Sequence, residues 1–422
     1  MWVIGLIIVI LGLIVSVALH EVGHLVPAKK FGAIVPEYWV GFGPTLWQTK
    51  KGSTTYGIKA VLLGGYVRIV GMFPGGPANR KRYRPNGQLT LAEEAREQSM
   101  EDVARARAQG DEGKAFYELS TPKKLVVMAS GPLMNLAIAI VLIAVVLFGF
   151  GIQEPTTTID YVAPTVGEQP SPAAAAGLKD GDTIVEWDGT PVTEWDQLRT
   201  LVGETPAEAT DVVVDRDGQL VTVQVVPNVD EDGNASIGIS SKIGRRSATV
   251  GEVADTVWQQ FVGTGKAIIS LPVSLYELGR SMITGEERDS SGVVSVVGVA
   301  RLAGEITSPS SLTYEQATPS GTVVQGASVM ERVALLISLL AALNMALFVF
   351  NLIPLPPLDG GHIVGALWGG AKNTHAKLRK KPRPAPADTA RMMPLTYGVF
   401  GALMIITVVL VVADIVKPLS LT

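Results

Sequence analysis

Ile14-Val15-Ser16-Val17-Ala18-Leu19-His20-Glu21-Val22-Gly23-His24 decides how this chain is read. An apolar run beginning at residue 2 arrives at three ionisable residues with no turn signal between them. On a helix the i, i+4 spacing sets His20 and His24 on one face, where two imidazole nitrogens can share one zinc ion. Glu21 projects roughly a quarter turn away, within reach of a proton on water at that ion. A helix starting near Trp2 carries His20 about 27 Å along its axis, close to the cytoplasmic boundary of a bilayer core. The same five-residue pattern arises by chance in soluble helices. Here it continues an apolar span, where an ionisable group costs at least ~2.5 kcal/mol unless something compensates it.

Working outward, the 422 residues are 47% hydrophobic, and the apolar ones gather into runs at 2–19, 125–150, 333–353 and 395–413. Each approaches the ~20 residues that cross ~30 Å of hydrocarbon as helix. The expected fold class is a polytopic α-helical membrane protein with four transmembrane helices. Basic residues outnumber acids in 25–123, and 371–393 holds seven basic residues against one acid, so both segments are expected in the cytoplasm. Residues 151–332 carry 26 acids against 11 bases and are expected on the opposite side, with both termini extracytoplasmic. Ser16-Val17-Ala18 has the look of a signal-peptide cleavage site, but no basic residue precedes the run. Cysteine is absent, so a metal here takes nitrogen and oxygen ligands.

The expected organisation starts with a first transmembrane helix in 1–37. Residues 38–72, where Gly alternates with aromatic and β-branched residues, form a membrane-associated β-hairpin region. A charged cytoplasmic insertion occupies 73–122, helical and solvent-exposed over 91–119. The second transmembrane helix lies in 123–151, and a small α/β domain in 156–228 has a hairpin turning at Asp217-Gly218. Residues 250–330 hold an interfacial amphipathic helix, with Trp258, Phe261 and Tyr276, and a Ser/Thr/Gly/Pro-rich linker over 306–327. The third transmembrane segment is expected in 331–370, a basic cytoplasmic loop in 371–393 and the fourth span in 394–415.

A catalytic zinc takes three protein ligands and leaves a fourth position open. The third ligand is sought in Asn351-Leu352-Ile353-Pro354-Leu355-Pro356-Pro357-Leu358-Asp359-Gly360-Gly361-His362. Three prolines within four positions cannot continue an α-helix, so the third span is expected to break here. Irregular backbone at membrane depth is tolerated only where protein or water covers it. Asp359 is the candidate ligand, with His362 a competitor three residues on; a helix-capping role is the plain alternative for Asp359. Asn351 is read either as a substrate or oxyanion hydrogen-bond donor or as a helix-to-helix hydrogen bond. His375, in the basic segment, reads as a solvated surface residue.

With both segments quoted, the chain resembles the site-2 protease family, intramembrane zinc metalloproteases, and more closely its bacterial branch with a single PDZ domain. The paired motifs are His20-Glu21 with His24, and Asn351, Pro354, Pro356, Asp359 and Gly360. Gly41-Phe42-Gly43 and Gly64-Gly65-Tyr66 look like the family's membrane-embedded β-hairpins, and Ser130-Gly131-Pro132 with Asn135 resembles the start of its second core helix. Ala176-Gly177-Leu178-Lys179-Asp180-Gly181-Asp182 looks like a bacterial, circularly permuted PDZ domain. The resemblance implies that His20, His24 and Asp359 bind Zn2+, that Glu21 is the acid/base, and that Asn351 meets substrate near the scissile bond. It also implies a multi-pass protein of the bacterial cytoplasmic membrane with an extracytoplasmic PDZ domain. The implied partners are the lipid bilayer and a single-span substrate, an anti-sigma factor or signal-peptide remnant, with no nucleic acid.

Two other classes stand beside this one. A metal transporter explains ionisable residues in a span, but four spans are few for a transport path. An inactive PDZ scaffold for membrane proteins leaves the intact His20, Glu21, His24 and Asp359 without a purpose.

Overall fold

The computed structural model describes residues 2–76, 81–166, 169–205, 207–229, 233, 235–284, 294–308, 313–318, 321–382, 384 and 386–417. Parts of the expected insertion, α/β domain, interfacial helix, linker and basic loop lie outside these residues. Among the described residues, four helices are long and apolar enough to cross a membrane: Val3–Lys30, Thr121–Phe150, Val329–Asn351 and Thr389–Val416. The chain divides into two compact units, one of residues 1–145, 251–312 and 329–422, the other of 146–250 and 313–328.

In the helical unit, α1 (Trp2–Lys30) is followed by a two-stranded hairpin, β1 (Glu37–Lys51) and β2 (Thr54–Arg68). Residues 37–40 of β1 pair on one side with 55–58 and on the other with 65–68, so β2 wraps around its partner. Gly64, at φ +114°, supplies the backbone turn at this return, a conformation L side chains rarely adopt. The returning arm 65–68 is an edge with no further strand beside it among the described residues.

Helix α2 (Leu91–Ala108) begins at Thr90, whose hydroxyl accepts from the Glu93 amide. It braces two other parts of the unit. Arg68 of β2 donates to Glu37 of β1 at 2.9 Å and to Asp102 of α2 at 2.6 Å. The buried Arg96 joins Glu93 at 3.0 Å and Asp388, just before the last span, at 2.6 Å. The charged insertion is thus tied by ion pairs to the hairpin and to the 388 segment.

Helix α3 (Thr121–Ala144) passes through a π-helical turn, Val145–Phe150, and packs on α1. Helix α6 (Val250–Thr284) carries exposed Trp258, Ile269 and Tyr276. Helix α7 (Val296–Thr307) escaped the sequence reading. Its first amides, Ser295 and Gly298, reach the buried carboxylate of Asp414 at 2.6 and 3.1 Å. At its other end Arg332 donates to Ile306 O at 2.8 Å and to Ser308 O. An anion at the N-terminus and a cation at the C-terminus both complement the helix dipole.

Helix α8 (Val329–Asn351) is tied to α1 by Asn344 Nδ2, which donates to Ser16 Oγ at 2.9 Å. The helix stops at Asn351, ahead of the prolines, and α9 (Asp359–Leu378) restarts at the acid. The third span therefore does not run through to 370, and most of 371–378, expected as loop, is helix: its Ala, Leu and Lys residues are good helix formers. Helix α10 (Met393–Val416) is the last span.

The second unit is built on an antiparallel sheet in the order 239–246, 152–162, 183–187, 210–216, 219–225, with 190–191 pairing onto 183–187. After the short α4 (Pro172–Ala175), helix α5 (Trp195–Glu204) buries Leu198 and Val202 against Ile159, Ile184, Trp187, Val212 and Val214. The edge strand Ile239–Arg246 lies beyond the expected 156–228, because its polar run shows no apolar alternation. The expected linker 306–327 contains two paired strands, Thr313–Thr318 and Gly321–Gly326. Asp182 is buried and ion-paired to Arg216 at 2.7 Å. Burial raises the Asp182 pKa, but the Arg216 guanidinium and the Lys179 amide outweigh it and hold the carboxyl below its usual range.

Candidate active site

The close approach of α1 and α3 builds the site. A Cβ on Gly131 would collide with His24 Nε2, and one on Gly23 would lie 2.5 Å from Ser130 O. Small residues at this crossing let the two backbones meet, as in helix packing where lipid gives no hydrophobic drive. His24, buried at 5% exposure, comes within 2.7 Å of Val127 O through Nδ1. A carbonyl only accepts, so the ring proton sits on Nδ1 and Nε2 presents a lone pair. His20, one turn earlier, has Nδ1 3.2 Å from Asn135 Nδ2.

The two Nε2 atoms stand 3.2 Å apart, and each is 3.3 Å from Asp359 Oδ2. Asp359 reaches them because α9 begins at that residue; Leu358 holds the capping position, so the acid is not the cap. Its Oδ2 is buried without a hydrogen-bond partner. Three lone-pair-bearing atoms facing one another repel unless a cation lies among them. Tetrahedral coordination at bonds of about 2.0–2.1 Å spaces ligand atoms about 3.3–3.4 Å apart, whereas octahedral geometry at the same bond lengths gives about 2.8–3.0 Å. The observed 3.2–3.3 Å triangle fits one face of a tetrahedral zinc site.

Around the triangle is a cavity of about 570 Å³, lined among others by Glu21, residues 66–69 of the hairpin, Asn351 and His362. Glu21 Oε2 accepts from the Val67 amide at 2.9 Å, so the edge arm of β2 holds the acid beside His20, His24 and Asp359. Tyr38 OH donates to Ala18 O at 2.9 Å, pinning the same hairpin to α1. Asn351 lies at the end of α8 and donates to Leu347 O of its own helix at 3.0 Å, not to another helix. His362 lines the cavity but is not one of the three converging residues. His375 is exposed on α9. Sequence reasoning missed Val127 O and the Val67 amide, since backbone groups leave no mark in a residue pattern. It named Asn135 only as part of a helix start.

Two histidines and an aspartate arranged for one tetrahedral ion, an acid beside them and four apolar spans define a membrane metallohydrolase. The chain belongs to peptidase family M50, the site-2 proteases, and is a zinc metalloprotease; residues 8–384 match that family. It is 31% identical over 454 residues to zinc metalloprotease Rip1 of Mycobacterium tuberculosis, covering 100% of this chain and 99% of that protein. Rip1 of Mycolicibacterium smegmatis is 32% identical over 452 residues, covering 99% and 98%. Metalloprotease MmpA of Caulobacter vibrioides is 28% identical over 365 residues, covering 83% and 82%. Among solved structures, the PDZ domain of an SdrC-like protein from Listeria innocua aligns with 22% of this chain and 99% of its own at 17% identity, with a TM-score of 0.18, too slight a likeness to define a fold.

Proposed function

We propose that this protease hydrolyses a peptide bond within or near the transmembrane segment of a single-span membrane protein, with His20, His24 and Asp359 as the zinc ligands and Glu21 as the acid/base. The donor triangle of 3.2 and 3.3 Å is the observation that carries the reading. Bound there, zinc supplies Lewis acidity that polarises the scissile carbonyl and lowers the pKa of water towards ~7. Glu21 takes a proton from the attacking water and returns it to the leaving amine as the C–N bond breaks. Asn351 lines the cavity and, released from its bond to Leu347 O, its amide can meet the substrate backbone or the developing oxyanion.

A helical substrate must unwind before its carbonyl is reachable, and unwound backbone needs new partners in a dry environment. The arm 65–68, with no further strand beside it among the described residues, supplies them by strand addition, the Val67 amide exchanging Glu21 for the substrate. Exposed Phe42, Leu46 and Trp47 on the hairpin support its lying in lipid. The excess of basic residues in 25–123 and 371–393 supports a cytoplasmic position for those segments, with the sheet unit on the outer side of the bacterial cytoplasmic membrane. That unit is a PDZ-type domain, and a cavity of about 670 Å³ between α5 and residues 235–239 suits an extended peptide. The substrate class is an anti-sigma factor or signal-peptide remnant already trimmed outside the membrane.

Glu21→Gln keeps its zinc and loses cleavage of a reconstituted single-span substrate; full activity in that variant rejects the assigned role. Membrane proteomes of cells carrying the same variant accumulate truncated single-span proteins relative to wild type. No such accumulation rejects the substrate class.

A further inference from the structure

We propose that Asn135 is a positioning residue for the metal: its amide oxygen accepts the Nδ1 proton of His20 and fixes that ring with the Nε2 lone pair facing Asp359. The proposal rests on the reading of His20, His24 and Asp359 as ligands. His24 supplies the template, because Val127 O at 2.7 Å compels its proton onto Nδ1. Among the described residues, no carbonyl meets His20 Nδ1 in that way. What His20 has is the Asn135 side chain, 1% exposed, with Nδ2 3.2 Å from its Nδ1 and Oδ1 buried without a partner.

A carboxamide keeps its shape when turned by half a revolution about its last bond, which exchanges oxygen and nitrogen. With the amide nitrogen facing His20, Nδ1 must be bare and the ring proton moves to Nε2, between His24 Nε2 and Asp359 Oδ2, where a ligand lone pair is required. With the oxygen facing His20, Oδ1 gains its missing partner and both imidazoles take the same metal-ready form. Outer hydrogen bonds of this kind set ring orientation and basicity in zinc sites. A neutral amide provides the acceptor without adding an acid to Glu21 and Asp359 at membrane depth, where charge is costly. Both positioning groups then come from α3, so one helix orients the two ligands that α1 carries.

The chain has four histidines, so 15N-imidazole labelling gives a spectrum simple enough to assign by single His→Gln variants. In the metal-free wild type, His20 and His24 both carry the proton on Nδ1. Asn135→Leu, a close match in size, shifts His20 alone towards the Nε2–H form and weakens zinc binding about 10–100-fold in chelator competition. Asn135→Asp, which keeps an oxygen acceptor, stays within a few-fold of wild type. An Nε2–H signal for His20 in the wild type overturns the proposal, and this holds even if Asn135→Leu fails to fold. Equal zinc affinity in Asn135→Leu and wild type overturns it too. A wild-type protein that takes up no zinc instead overturns the ligand reading beneath it.

Discussion

The helical unit and the sheet unit handle buried polar groups in different ways. The sheet unit packs Ile159, Ile184, Trp187, Val212 and Val214 inward and pairs its buried Asp182 with Arg216 at 2.7 Å. The helical unit turns Val3, Leu11, Val15, Leu133 and Val141 outward, while Ser16, His24, Asn135, Asn344 and Asp414 are buried. In water the hydrophobic effect selects what goes inside; in lipid that drive is absent between helices, and close packing with polar contacts does the selecting. Helix-to-helix hydrogen bonds and small-residue crossings, not apolar area, therefore define the inside of the catalytic unit.

Substitutions at the two kinds of interior break in different currencies. The largest effect is expected for Asp359→Ala, which removes the proposed third ligand: zinc content falls below stoichiometry and turnover drops by more than about 100-fold, a greater loss than that of an outer hydrogen bond. Metal analysis and cleavage of a reconstituted substrate check it. Gly131→Ala forces His24 away from α3 and lowers zinc affinity at least about 10-fold, with the helices still formed by circular dichroism. In the sheet unit Trp187→Ala costs about 3–5 kcal/mol, read as faster hydrogen exchange in strands 183–187 and 210–216, with zinc content unchanged.

The smallest effect is one of pH. Because the folded Asp182 carboxyl titrates below its unfolded value of 3.8, its contribution is fully present above that value and is lost as pH falls through the folded one. Exchange in strand 183–187 rises on acidification below about pH 4, and Asp182→Asn flattens that rise.

Much of the helical unit was legible because its features are periodic or chemically rare. The four spans announce themselves by length, the i, i+4 histidines by placement, and the break before Asp359 by prolines that cannot donate a backbone hydrogen bond. Helix α7 was hidden because it is short and held by Asp414 and Arg332, both more than 20 residues away in sequence. The strand 239–246 was hidden because an edge strand rich in Ser, Lys and Arg lacks alternation. The wrapping of β2 around β1 follows from register, which one sequence does not state. Within the site, His20, His24 and Asp359 were visible as residue types, whereas the contacts of the two imidazoles with Val127 O and Asn135 come from a different helix.

The central claim is that two imidazoles from α1 and the carboxylate that opens α9 hold one four-coordinate zinc. X-ray absorption at the zinc edge of the purified, zinc-loaded protein tests it most directly. The account predicts two imidazole nitrogens and two oxygens at about 2.0–2.2 Å, with Asp359→Ala altering the spectrum and His362→Ala leaving it unchanged. A shell of three imidazoles that His362→Ala destroys and Asp359→Ala leaves intact would contradict it.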